Sequence, residues 1–265
     1  MNSTMKKVAV VTGASSGIGR AVAVAFAEAR VSVVLAARGA ERGEAVAREI
    51  RDQGGEATFI AADVARAADV RALVARAVEL YGRVDFGVNN AASEEGAFAL
   101  TADFDEGTFD RTVAVNLKGV WLCMKHELRQ MLSQEPPGGA IVNTSSVNGL
   151  GGAPQGALYS ATKAGVLALT KSAAQEYATR GIRVNALVAG AFRTPMLERV
   201  FEHASGGDPA GVAAVEAAYA RMVPLGRIGR PEEAAAAVTW LCSDAASYVT
   251  GHSMIVDGGM TAFAR

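Results

Sequence analysis

The sequence predicts an α/β fold: a parallel sheet with helices on both of its faces. Three observations carry that prediction. Short apolar runs alternate with longer helical patterns along the whole chain. Most of the runs are continuously apolar, as strands covered on both faces are, whereas a half-exposed strand alternates. At 265 residues, with 50% hydrophobic and 20% charged residues, the chain can bury one large core and is too apolar to remain disordered.

The strand runs are Val8–Thr12, Val31–Ala37, Ala57–Ala62, Val84–Asn89, Ala140–Thr144, Val184–Val188 and Met254–Val256. Helical patterns fall between them at 18–29, 40–53, 66–81, 106–133, 157–179 and 231–243. Repeated strand–helix–strand units imply right-handed crossovers and parallel strands. Residues 195–229 break this rhythm, being helix-prone but interrupted by Gly206-Gly207-Asp208-Pro209. An insertion of that length before the last strand reads as a mobile lid on a single domain.

Composition removes several function classes. Lys plus Arg number 26 against 27 Asp plus Glu, so no basic excess exists to neutralise a phosphate backbone, and nucleic-acid binding is not expected. The two cysteines, Cys123 and Cys242, sit far apart in apolar helical settings and read as inert buried thiols. His126, His203 and His252 have no metal-ligand spacing, so no metal is expected. With no apolar signal region near Met1–Lys7 and no run of about 18 apolar residues, a cytoplasmic protein without membrane contact is expected.

The first strand runs into Thr12-Gly13-Ala14-Ser15-Ser16-Gly17-Ile18-Gly19, and a helix opens directly from it. Glycines permit positive φ and close approach of backbone to a diphosphate. The helix N-terminus supplies unpaired N–H groups and the positive end of a dipole. Gly13, Ser15, Ser16, Gly17, Ile18 and Gly19 are therefore the candidate diphosphate cradle of a dinucleotide. At the end of the second strand an NAD site wants a carboxylate for the ribose hydroxyls. Here Ala37-Arg38 stands instead, and a guanidinium fork suits a 2′-phosphate and the adenine ring. NADP(H) is thus preferred over NAD(H), the alternative being a merely solvated Arg38. Asp63-Val64 ends the third strand, where Asp63 reads either as an acceptor for the adenine amino group or as a helix N-cap.

Tyr159 and Lys163 stand four apart on a helical pattern and share one face. A free tyrosine, with a pKa of about 10, is a poor acid/base at neutral pH; a nearby cation favours the phenolate and brings it into range. Thirteen residues upstream, Ser145-Ser146 ends the fifth strand, at the carboxyl edge where open α/β sheets bind ligands. Successive strand residues face opposite ways, so one of the two serines can donate to a substrate carbonyl.

Together Thr12–Gly19, Asn89-Asn90-Ala91-Ala92, Asn116, Ser146, Tyr159-x-x-x-Lys163, Val184-Asn185-Ala186 with Gly190 and Thr194, and Asp257-Gly258-Gly259 resemble the short-chain dehydrogenase/reductase family over Lys7 to Met260. The resemblance implies a single Rossmann-like domain over residues 1–265, with a seven-stranded parallel sheet flanked by helices on both faces. It also implies an Asn116–Ser146–Tyr159–Lys163 tetrad. Tyr159 would exchange a proton with the substrate oxygen as hydride moves to or from nicotinamide. Lys163 would hold the nicotinamide ribose and tune Tyr159, Ser146 would position the carbonyl, and Asn116 would hold a relay water. Asn90, Ala91, Gly190 and Thr194 join the cofactor site on the same ground. The implied activity interconverts a carbonyl and a secondary alcohol, the rival being a non-catalytic dinucleotide sensor. The implied assembly is a homotetramer or homodimer built on the long helices. Three positions depart from the family pattern. Ala92 replaces a glycine, where its methyl would crowd the backbone near the cofactor; Ala189 replaces a proline; and Ser16 stands where NADP-preferring relatives often carry a basic residue. Ser93, Glu94, Asn148, Leu150, Gln155, Phe192, Met196 and Phe201 are expected to line a pocket for a small carbonyl or alcohol substrate.

Overall fold

A computed structural model describes residues 6–262 of the chain. Seven parallel strands form one sheet in the order β3-β2-β1-β4-β5-β6-β7. They are β1 Val8–Thr12, β2 Ser32–Ala37, β3 Ala57–Ala61, β4 Phe86–Asn89, β5 Gly139–Ser146, β6 Ile182–Ala189 and β7 Ser253–Val256. The helices are α1 Gly17–Glu28, α2 Ala40–Asp52, α3 Ala67–Tyr81, α4 Glu106–Val113, α5 Gly119–Ser133, α6 Ala157–Tyr177, α7 Pro195–Ala204, α8 Pro209–Met222 and α9 Pro231–Cys242. None of the described helices is long and apolar enough to cross a membrane.

The continuous apolar runs follow from two cores, one on each face of the sheet. Ala9, Val11, Val33, Leu35 and Val142 pack with Phe26 of α1, Ile50 of α2 and Leu241 of α9. Their neighbours Val10, Val34, Ala36 and Ile141 turn the other way, onto Leu73 of α3, Met124 of α5 and Val166 of α6. A strand with period-two side chains and a core on each face has no solvent side to make polar.

The strand order reverses between β1 and β4, which both flank the sheet's centre. In-register pairing of Val11 with Leu35 and Val88 brings the carboxyl ends of β2, β1 and β4 to one edge. That reversal leaves a crevice above the strand ends, because the crossovers leave in opposite directions.

Besides β6, which runs Ile182–Ala189 where Val184–Val188 is expected, three elements differ from the sequence expectation. The first apolar residues of the fourth run lie outside β4: the Val84 N–H and C=O bond the Gln134 side chain at 3.1 and 3.0 Å in place of a neighbouring strand. Strand β5 continues two residues further, through Ser145-Ser146, because β6 pairs with it to the end. The single helix expected over 106–133 contains a π-helical segment, Ala114–Lys118, between α4 and α5. A π-bulge re-aims the side chains within it, and Asn116 lies there, fully buried.

Candidate active site

The glycine turn is held from behind by the strand-end pair Asn90-Ala91. Thr12 Oγ1 accepts the N–H groups of Asn90 and Ala91 at 3.1 and 3.2 Å, and Asn90 Nδ2 reaches the Thr12 carbonyl at 3.3 Å. Gly13 has φ +66°, and a Cβ there would sit 2.8 Å from the Ala91 Cα. Gly19 is equally closed to a side chain, whose Cβ would meet the Gly13 carbonyl oxygen at 2.3 Å. Ala92 is not among the residues held at positive φ, so its methyl is accommodated without backbone strain.

The N-terminus of α1, where Gly17, Ile18 and Gly19 begin the helix, fits a diphosphate. Its N-cap, Ser16, accepts no first-turn N–H through its side chain, and no acidic residue lies in that turn. The donors therefore stay available for an anion. Ser15 is half-buried in the turn that leads into it. The turn abuts the end of β2 through Ala14 N–H to the Ala36 carbonyl at 3.2 Å, which places exposed Arg38 beside it. Among the described residues Arg38 has no ion-pair partner, whereas Arg20 pairs with Glu49 and Arg51 with Glu44; Arg42 is unpaired as well.

Asp63 does not cap α3, whose N-cap is Arg66. Its Oδ1 accepts the Ala65 N–H at 3.0 Å and closes a tight turn ahead of the helix. Val64 is core, its side chain lying where a Cβ on Gly119 would fall, 2.9 Å away. Gly190 permits close contact with the end of β7, since a Cβ there would sit 2.6 Å from the Asp257 Cα. Thr194 caps α7 by accepting the Leu197 N–H at 3.3 Å, and its methyl would lie 3.0 Å from a Cβ on Gly17. The start of α7 thus rests on the glycine turn.

At the carboxyl end of β5 the two serines diverge as strand geometry requires. Ser145 is buried and donates to the Lys163 carbonyl at 2.8 Å, fastening α6 to the sheet. Ser146 points to the crevice side, where its hydroxyl accepts the Asn148 N–H at 3.2 Å and interacts with the Tyr159 phenol. Lys163 is buried to 1% exposure; its ammonium donates to the Thr144 carbonyl at 2.8 Å and stands 5.6 Å from the centre of the Tyr159 ring.

Burial governs both titratable groups. It pushes the Tyr159 phenol up to about 12, the Glu94 carboxylate adding in the same direction and Ser146 opposing. It pushes the Lys163 ammonium down to about 8. The sequence expectation that Lys163 lowers Tyr159 is therefore outweighed in this geometry. An ammonium that sits over the ring and donates its hydrogen bond to a strand carbonyl does not offset the loss of water around the phenol oxygen.

Asn116 grips the chain just beyond β4. Its Oδ1 accepts the Ser93 N–H at 2.7 Å and its Nδ2 donates to the Ser93 carbonyl at 2.8 Å. Three residues on, the Gly96 carbonyl accepts the Tyr159 backbone N–H at 3.0 Å. Sequence reasoning missed this loop clip, the Ser145 fastening and the Thr12 hydroxyl. Each joins positions at least 18 residues apart, and no local pattern marks them. The structure brings Asn116, Ser146, Tyr159 and Lys163 to one edge of the sheet, with the glycine turn, Asn90 and Thr194 along the same edge. Arg38, Asp63 and Val64 lie further out, at the ends of β2 and β3. Cys123 and Cys242 are buried and unpaired, and burial raises both thiols.

Comparison with known proteins agrees with this architecture. A family model described as "Enoyl-(Acyl carrier protein) reductase" matches residues 13–261. The cis-4-hydroxycyclohexanecarboxylate dehydrogenase of Sinomonas cyclohexanicum is 44% identical over 257 residues, 97% of each chain. A 2,5-dichloro-2,5-cyclohexadiene-1,4-diol dehydrogenase of Sphingobium indicum is 40% identical over 99% of this chain and all of its own length. A crystal structure of actinorhodin polyketide ketoreductase with NADPH superposes with a TM-score of 0.92 at 36% identity, covering 99% of this chain and 100% of that one. With these matches spanning its length, the chain belongs to the short-chain dehydrogenase/reductase family of oxidoreductases.

Proposed function

We propose that this protein is an NADP(H)-preferring oxidoreductase that interconverts a ring-borne secondary alcohol and its ketone, with Tyr159 as general acid/base. The observation that carries the reading is the convergence of Ser146, Tyr159 and buried Lys163 beside an uncapped helix N-terminus at one sheet edge. Relatives named for ring alcohols support the substrate class.

The nicotinamide, when bound, gives or accepts a hydride. The rest is done by the chain. The α1 N-terminus binds the diphosphate, Arg38 the 2′-phosphate, and Asn90, Ala91, Gly190 and Thr194 shape the walls. Asp63 keeps one carboxylate oxygen for the adenine amino group. The Ser146 hydroxyl donates to the substrate oxygen and orients it toward Tyr159. In ketone reduction the Tyr159 phenol gives that oxygen its proton; in alcohol oxidation the phenolate takes it. Lys163, whose ammonium burial makes easier to deprotonate, passes protons toward Tyr159 and holds the nicotinamide ribose. Asn116 keeps the Ser93 loop in place, with capacity left to hold a relay water. The half-buried phenol limits proton exchange with bulk solvent.

The single domain with residues 195–229 as its lid, a homotetramer or homodimer packed through α5 and α6, and a cytoplasmic setting complete the proposal. An apolar groove lined by Leu117, Trp121, Gly165 and Leu169 supports the assembly, because Trp121 is 43% exposed in the single chain.

The test is turnover of cyclohexanol and cyclohexanone with each nucleotide, followed by nicotinamide absorbance. We expect a higher kcat/KM with NADP(H), and Arg38→Asp to swing the ratio toward NAD(H) by roughly tenfold or more, the order of one charge-assisted contact. Better use of NAD(H) by the unaltered protein rejects the cofactor preference. Absence of turnover with both favours the non-catalytic sensor.

A further inference from the structure

The loop after β4 is pinned at two points, and both fastenings involve residues of the catalytic constellation. At Ser93 both backbone polar groups are taken by Asn116, and at Gly96 the carbonyl accepts the Tyr159 N–H. Gly96 has no room to move inward, since a Cβ there would sit 2.8 Å from the Tyr159 nitrogen. A turn, Ala97 N–H to the Glu94 carbonyl at 2.9 Å, closes the segment between. Two carboxylates lie in this pinned stretch and go opposite ways. Glu95 turns outward to Arg111, both side chains being about half exposed. Glu94 is 22% exposed and turns toward the lid, where its Oε1 accepts from Arg199 Nε of α7.

Only that one oxygen is engaged: among the described residues no donor reaches Glu94 Oε2. Glu94 stands two residues before Gly96, whose carbonyl holds the Tyr159 backbone, and its side chain meets α7 on the other side, so the carboxylate borders the space between Tyr159 and α7 where a substrate would dock. A negative acceptor held on a rigid loop, neutralised on one side and open on the other, suits a neutral hydrogen-bond donor. We propose that Glu94 is the specificity residue of this site. Its open carboxylate oxygen accepts a hydroxyl carried elsewhere on the substrate, so the protein favours diols and hydroxyketones over the matching mono-functional compounds. This inference rests on the reading of the site as a secondary-alcohol oxidoreductase given above.

The experiment compares cyclohexanol with the 1,2-, 1,3- and 1,4-cyclohexanediols for the unaltered protein and for Glu94→Ala and Glu94→Gln. The quantity read is the ratio of kcat/KM for diol over cyclohexanol. For at least one diol the ratio exceeds unity by roughly tenfold, the strength of a hydrogen bond to a charged group. Glu94→Ala removes that preference, and Glu94→Gln, which keeps an acceptor oxygen without the charge, retains part of it. An equal ratio in all three proteins overturns the inference while leaving the reaction intact. A preference for a carboxylate-bearing ring alcohol, lost in Arg199→Gln, also overturns it, by making Arg199 the reader. Binding of the same alcohols to protein saturated with reduced nucleotide, read by saturation-transfer NMR, needs no turnover. Tighter diol binding that Glu94→Ala abolishes supports Glu94 even where the reaction itself fails.

Discussion

The floor and the roof of the cleft are built from different interactions. On the floor, Asn116, Ser145 and Lys163 are buried, and each is tied by hydrogen bonds of 2.7–2.8 Å to a backbone group on another element. On the roof, α7 and α8 are held to the body by charged side chains that remain wet, and by rings. Arg199 reaches Glu94, Arg193 reaches Glu216 and Phe98 lies 4.5 Å from His203, while Phe201 of α7 packs edge-on to Tyr219 of α8 and joins the two roof helices to each other. Buried bonds to backbone have one geometry and are costly to break, whereas exposed ion pairs contribute little and are screened by salt. On the function proposed above, such a floor keeps the Tyr159 proton donor in place while the weaker ties of the roof let it open for a substrate. The glycines Gly206 and Gly207, at φ +66° and +83° between α7 and α8, give the roof a joint that no L side chain would relax in.

The largest effect should come from the floor. Tyr159→Phe removes only the phenol oxygen from a half-buried ring, and is expected to lower kcat by at least a factor of roughly 10² to 10⁴, the usual worth of a positioned acid/base. Nucleotide affinity, read by fluorescence titration, should change little beside that loss. Retention of more than about a tenth of the activity would remove Tyr159 from the reaction. The same residue dictates the pH dependence. Burial raises the phenol to about 12, so the phenolate needed for alcohol oxidation becomes more abundant as pH rises. Oxidation should climb steadily through the alkaline range, while ketone reduction, which uses the protonated phenol, stays flat near neutrality. An oxidation profile that levels off below pH 8 would show that the bound substrate and nucleotide reverse the effect of burial.

A second expectation concerns a floor residue the reaction does not use. Glu127 lies on α5 at 1% exposure, against Gly87 of β4, whose missing Cβ leaves the room its carboxyl occupies. Its Oε2 accepts from Asn89 Nδ2 at 3.0 Å, and among the described residues its Oε1 has no partner. Burial raises its pKa from 4.5 to about 7, the Asn89 bond opposing. The folded state therefore holds this proton more tightly than the unfolded chain. Stability from this group is fully present below about pH 4.5 and is lost as pH rises through about 7. The linkage is worth up to about 3 kcal/mol at about 1.4 kcal/mol per unit. Urea denaturation from pH 5 to 8 should show the decline in the unaltered protein and a flatter profile in Glu127→Gln. Parallel profiles would mean that Glu127 is solvated through breathing of the floor, which would blur its contrast with the roof.

These contrasts show which parts of the molecule were legible in the sequence. The glycine turn, the Tyr159–Lys163 face and the double-sided strands are local patterns, each confined to a dozen residues or fewer. The structure draws them together at the edge where the strand order reverses. What joins the floor is long-range: Asn116 to Ser93 across 23 residues, Ser145 to Lys163 across 18 and Glu94 to Arg199 across 105. The π-bulge that places Asn116 has no composition of its own, and the late start of β4, which leaves Val84 outside it, depends on Gln134, 50 residues later. The direction of the Tyr159 shift is hidden from the sequence for the same reason. The phenol's environment is set by elements that only the folded chain assembles, and their desolvation outweighs the charge one helical turn away.

The smallest effect belongs to the roof. Arg193 pairs with Glu216 of α8, with side chains 53% and 34% exposed. Opposite charges raise the Arg193 guanidinium, chiefly through its bond to Glu216, but solvent screens a pair so exposed. Arg193→Gln should therefore shift the free energy of unfolding by less than about 1 kcal/mol, and raising the salt concentration should reduce even that difference. What the substitution should change is the lid. Arg193 follows Phe192, whose parallel bridge to Gly229 ties the two ends of the 195–229 segment together. Loosening α8 just outside that tie leaves the body untouched, and local opening of the lid becomes easier. Amide exchange should quicken in α7 and α8 while β5 and α6 keep their protection. Uniform quickening across all four elements would mean that roof and floor open as one unit, and the division between a rigid floor and a hinged roof would fail.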